Sequence, residues 1–194
     1  GKASGLSSVL INGYGSPQVQ IKAAGGGLLA LVGGELGNVA ISGTPKSDVV
    51  FLIPPEGGGI TQVAGSFKVT TKGGDDTVGM NGSFLFGSVS INTGGGDDVF
   101  FMETLFVPAN VNVKTGGGDD TALIGAEDRD DLAVVFLGQV NFTMGGGNDE
   151  LTIGSDITYT ASLVRLNGSG GYDELDSFTV DNGIDIRGFD NFPF

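Results

Sequence analysis

Aspartates that close glycine runs are the residues of this sequence best suited to chemistry. They occur as Lys72-Gly73-Gly74-Asp75-Asp76-Thr77, Thr93-Gly94-Gly95-Gly96-Asp97-Asp98-Val99 and Thr115-Gly116-Gly117-Gly118-Asp119-Asp120-Thr121. Two altered copies follow, Met144-Gly145-Gly146-Gly147-Asn148-Asp149-Glu150-Leu151 and Gly168-Ser169-Gly170-Gly171-Tyr172-Asp173-Glu174-Leu175. Glycine permits positive φ and close backbone approach, and each acidic pair adds charge that something must neutralise. Carboxylates and turn carbonyls are hard oxygen donors, of which a calcium ion takes about six to eight. With no cysteine and no histidine in 194 residues, disulfides, thiolate sites and the commonest transition-metal ligand are excluded.

The turns need strands on both sides to hold them. Before them stand apolar–polar–apolar triplets: Val19-Gln20-Ile21, Val39-Ala40-Ile41, Phe67-Lys68-Val69, Val89-Ser90-Ile91, Val111-Asn112-Val113, Val140-Asn141-Phe142, Val164-Arg165-Leu166 and Ile184-Asp185-Ile186. Successive offsets are 20, 28, 22, 22, 29, 24 and 20 residues, and the alternation is that of a strand with one buried face. A second strand follows each turn, as in Val49-Val50-Phe51-Leu52, Val99-Phe100-Phe101-Met102 and Glu150-Leu151-Thr152-Ile153. A unit this short cannot fold alone and must stack on its neighbours.

The predicted fold is therefore all-β, a parallel β-helix or β-solenoid of about eight coils with ~22 residues per coil, forming one domain over residues 1–194. Residues 1–72 are read as amino-terminal coils without acidic turns, 73–175 as the stretch with GGGDD-type turns, and 176–194 as a carboxy-terminal cap closed by Phe189, Phe192 and Phe194. An antiparallel sandwich or barrel is the rival. Length varies in arcs such as Pro54-Pro55-Glu56-Gly57-Gly58-Gly59 and Glu127-Asp128-Arg129-Asp130-Asp131, which a solvent-facing corner tolerates. The second of these is a charge run read as solvated surface, with an extra metal or partner site as its alternative.

In-register stacking places Asp75, Asp97, Asp119 and Asn148 in one row and Asp76, Asp98, Asp120, Asp149 and Asp173 in the next. Carboxylates about 5 Å apart repel by roughly 3 kcal/mol per pair at an effective dielectric near 20, so the rows call for a counter-ion. A tight turn alone would also use aspartate and glycine, but asparagine or serine would serve it without repulsion. Gly145-Gly146-Gly147-Asn148-Asp149-Glu150-Leu151 resembles the calcium-binding turn of RTX (repeats-in-toxin) β-rolls, G-G-x-G-x-D-x-U-x. The Gly168–Leu175 turn resembles it too, and the GGGDD turns match more loosely. The resemblance implies calcium between successive turns, with Asp76, Asp98, Asp120, Asp149 and Asp173 as side-chain ligands beside glycine carbonyls. Asp75, Asp97 and Asp119 have no certain counterpart in that motif. The spacing departs from the nine-residue RTX period, so only one edge of a wider coil would carry the turns.

Other function classes follow from composition. A net charge of −14 disfavours nucleic acid and anionic membrane surfaces, and no apolar run is long enough to span a membrane. The chain starts at Gly1 without methionine or signal segment, as expected of a processed form or an excised piece. No catalytic constellation is visible. A lyase or epimerase acting on acidic polysaccharide needs a base or a cation cluster, and the bases here are scattered. The outward triplet residues are too mixed for an ice-binding face. The expectation is a secreted or cell-surface, bacterial, calcium-binding structural or adhesive module. Its expected partners are calcium ions, copies of itself or extracellular matrix components; a carbohydrate-active enzyme or the repeat unit of a self-assembling fibre is the alternative.

Overall fold

Short apolar alternations make strands here because every second residue finds an apolar interior and the glycine turns between them let the chain change direction at little steric cost. A computed structural model describes residues 7–23, 26–55, 58–125, 134–154, 157–159, 164–177 and 184–191. The described chain is all-β. In order come β1 (Ser7–Lys22), β2 (Leu28–Ser42), β3 (Val49–Leu52), β4 (Thr61–Val63), β5 (Phe67–Thr70) and β6 (Thr77–Leu85). They are followed by β7 (Val89–Gly95), β8 (Val99–Val107), β9 (Val111–Gly117), β10 (Thr121–Ile124), β11 (Val134–Phe136) and β12 (Val140–Gly146). The last five are β13 (Glu150–Ile153), β14 (Ile157–Tyr159), β15 (Val164–Gly170), β16 (Glu174–Ser177) and β17 (Ile184–Arg187).

Every pairing among the described strands is parallel and links equivalent segments of successive repeats, so the antiparallel rival finds no pair there. The triplets form one ladder. Val19 pairs with Val39, Val39 with Phe67, Phe67 with Val89, Val89 with Val111, Val111 with Val140, Val140 with Val164 and Val164 with Ile184. The segments after the turns form a second ladder through β3, β10, β13, β16 and the first halves of β2, β6 and β8. A third runs through β4, β11, β14 and the far ends of β6 and β8, inside the arcs that sequence reading left variable. β2 and β6 pass the corner between the last two ladders unbroken, whereas β3 and β4 are separate strands. The pairings β2–β3–β6–β4 therefore close a ring of four parallel strands.

The three ladders share one interior. Phe67, Phe100, Phe136 and Phe142 are its largest fully buried side chains, packed with Val, Ile, Leu and Met from all three sides. Phe189 packs against this core from the last repeat, while Phe192, Phe194 and the 127–131 cluster lie outside the described residues. No helix among the described residues is long and apolar enough to cross a membrane.

Candidate functional site

Two glycine columns dictate how closely the turns stack. Gly94, Gly116 and Gly145 have φ of 111°, 122° and 119°, and a β-carbon at Gly116 would overlap the carbonyl oxygen of Gly94 in the turn before. Gly96, Gly118 and Gly147 repeat this two residues on. Glycine meets that φ and that approach without strain, although Lys72 and Ser169 hold the first column in the first and last of these turns, at φ of 104° and 83°. The middle glycine differs: a β-carbon on Gly117 would come no nearer than 3.8 Å to the next turn.

On this backbone the members of each acidic pair face opposite ways. Asp76, Asp98, Asp120, Asp149 and Asp173 are buried, at 0–2% exposure, whereas Asp75, Asp97, Asp119 and Asn148 are exposed. The inner row forms a chain of hydrogen bonds. The backbone N–H of Asp76 donates to Oδ1 of Asp98 at 2.8 Å, that of Asp98 to Asp120 at 2.9 Å, that of Asp120 to Asp149 at 2.8 Å and that of Asp149 to Asp173 at 3.1 Å. The outer row runs in the opposite sense: Asp97 N–H donates to Asp75, Asp119 to Asp97, Asn148 to Asp119 and Tyr172 to Asn148. Each gap between these turns is thus clamped by one carboxylate or amide reaching back and another reaching forward.

The inner row is longer than the glycine motif. Asp48 N–H donates to Asp76 at 2.7 Å, and Asp173 N–H donates to Asp190 at 3.0 Å, so Asp48 and Asp190 extend it at both ends. Sequence reading missed both because neither follows a glycine run. For Asp48 the clue was register, since it precedes Val49 as Asp76 precedes Thr77.

Asp48 is also the informative contrast. Its Oδ1 accepts from Leu28 N–H at 2.6 Å and from the Thr44 hydroxyl at 3.0 Å, and its Oδ2 accepts from Thr44 N–H at 2.6 Å. Both oxygens are satisfied. In Asp76, Asp98, Asp120, Asp149 and Asp173, Oδ2 is buried without any hydrogen-bond partner. Thr71, Thr93 and Thr115 flank the first three, but their hydroxyl protons go to the carbonyls of Thr93, Thr115 and Met144 in the next turn.

A buried carboxylate oxygen with no donor favours whatever neutralises it. Burial, reinforced by neighbouring aspartates, pushes Asp76 up to about 7 and Asp98 and Asp149 up to about 6, and raises Asp120 and Asp173; the nearby threonine hydroxyls of the first three turns and the backbone N–H bonds to Oδ1 partly oppose this. Two agents fit the vacancy in charge: a proton, for which Thr71, Thr93 and Thr115 offer acceptor oxygens, or a cation. Among the described residues no three acidic side chains converge on one point. A cation in the inner row would be offered one free Oδ2 per turn, a hard oxygen donor of the kind calcium takes. The exposed Asp75, Asp97, Asp119 and Asn148 are turned away from it. Comparison with protein-family models, curated proteins and solved structures finds no match.

Proposed function

We propose that the chain is a β-solenoid, a parallel β-helix of about eight coils, serving as a secreted structural or adhesive module whose inner aspartate row takes up calcium. Same-phase parallel pairing of eight triplets supports the coil reading. The observation that carries the calcium reading is the set of five in-register Oδ2 atoms without partners. Asp76, Asp98, Asp120, Asp149 and Asp173 are the side chains that would hold the ion, and the resemblance of the turns to RTX repeats is what suggests glycine carbonyls as further ligands. Calcium bound only by the native turns stabilises the fold by mass action, which links folding to calcium-rich extracellular fluid. The second reading is that protons alone neutralise the row; it is favoured by the threonine oxygens beside three of the carboxyls. Isothermal titration and circular dichroism at pH 7.5, in EDTA and in millimolar calcium, separate the two. Calcium binding with a rise in melting temperature, both lost in D98N/D120N, supports calcium. No heat of binding and an unchanged melting temperature leave the proton.

A further inference from the structure

The net charge conceals a segregated surface. The triplet ladder turns two residues per rung outward, and its register puts Lys68 and Arg165 in one outward row and Lys22, Lys114 and Arg187 in the other. Five of the nine cationic residues of the chain therefore share one face, and all five are exposed. Asp185 is the one acid there, held by Arg187 at 2.9 Å with Arg165 3.9 Å away. The remaining outward positions of the ladder are glutamine, serine, threonine and asparagine, with Ala40 the exception. Lys22, Lys68 and Lys114 make no ion pair among the described residues.

Spacing adds to composition. Counting triplets as rungs, Lys22, Lys68, Lys114 and Arg165 stand on the first, third, fifth and seventh, swinging between the two rows. A cation thus recurs every second rung, about 9.6 Å along the stack at about 4.8 Å per rung. That is close to the advance of two sugar residues in an extended pyranose chain. Shallow grooves mark both ends of the face, one of about 270 Å³ beside Lys22, Lys68 and Thr70 and one of about 320 Å³ between Asn141, Arg165, Asn167 and Arg187. The outward positions carry no aromatic ring, so the face lacks the stacking platform on which single-stranded nucleic acid is held.

We propose that this face binds a linear acidic polysaccharide laid along the stack, its carboxylate or sulfate groups against Lys22, Lys68, Lys114 and Arg165 and its hydroxyls against the intervening amides and hydroxyls. This names a target class for the adhesive reading and draws on none of the turn aspartates, so the two fail separately. The expectation that an acidic protein repels acidic partners gives way here because net charge averages over faces that act locally.

The test uses the full chain at low salt on immobilised polygalacturonate and heparin, with neutral dextran and single-stranded DNA alongside, after circular dichroism shows every variant folded in the same buffer. Wild type is expected to bind both acidic glycans and to lose that binding as salt rises. K68Q/K114Q/R165Q is expected to bind at least tenfold more weakly with an unchanged melting temperature, and K46Q, in a turn off the face, to change less than twofold. Equal binding by the triple variant overturns the proposal. So does equal retention on dextran, preference for DNA, or a face occupied by a second copy, seen as salt-sensitive dimerisation abolished by the triple variant.

Discussion

Asp98→Asn isolates the charge of the inner row from its geometry. The amide keeps an oxygen to accept the Asp76 N–H and puts an N–H toward the Thr93 hydroxyl, where the carboxylate left Oδ2 without a donor. The magnitude follows from burial, which lifts Asp98 from 3.8 to about 6. A raised folded-state value means that the fold prefers the protonated acid. Stability is full below about pH 3.8 and declines as pH rises through about 6. The loss at pH 7.5 without calcium is about 2.2 pH units, or about 3 kcal/mol. The variant escapes that loss but buries a second amide proton, costing about 1 kcal/mol, so the net gain is about 2 kcal/mol. For a chain of this size that is a rise of about 4–8 °C in melting temperature. Denaturation in EDTA at pH 4.5 and 7.5, by heat and by urea, measures it. The variant should be more stable than wild type at pH 7.5 and no more stable at pH 4.5. Equal destabilisation at both pH values, or a wild type in EDTA whose stability does not fall between pH 4.5 and 7.5, would refute the reasoning.

Four further outcomes are expected. Gly116→Ala forces a side chain into positive φ and into the Gly94 carbonyl, costing more than about 3 kcal/mol. Gly117→Ala meets nothing closer than 3.8 Å and is neutral or slightly stabilising, so urea melts of the pair test the column assignment directly. Asp48→Ala strips acceptors from Leu28 N–H, Thr44 N–H and the Thr44 hydroxyl, and should cost about 3–5 kcal/mol in the same assay without altering calcium response. Asp97→Ala on the exposed row loses one solvent-exposed hydrogen bond and should change stability by no more than about 1 kcal/mol.

How much of this was legible in the sequence depended on whether a residue carried a local signature. Val111, Val140 and Val164 could be aligned by eye because the same alternation returns in the same phase, and the structure pairs them residue for residue. The split of each acidic pair was also legible in principle: counting back two residues from buried Val78 or Phe100 lands on Asp76 or Asp98. The third ladder was not, because Thr61 and Ser83 are buried polar residues that break the apolar alternation; Thr61 satisfies itself on the Ile53 carbonyl. Asp48 was missed because its turn, Gly43 to Ser47, has no glycine run. The basic face was legible in part: the triplet alignment puts Lys68 and Arg165 in one outward row, but Lys22 and Lys114 fall just beyond their triplets and lie 46 residues from Lys68 on either side in chain order. Stacking brings them into one line.

The opposed reach of the two acidic rows constrains how such a chain can change length. Each inner carboxylate serves the turn before it, and each outer one serves the turn after it. A duplicated complete repeat of 22 residues, such as that separating Asp98 from Asp120, arrives with one reach in each direction and closes both new gaps as the old ones were closed. A partial duplication leaves a turn asking for a partner on one side and offering a surplus on the other. The bonds thus favour gain and loss of turns by whole repeats, while the arcs between turns, which already make the repeats 20 to 29 residues long, lie outside that constraint.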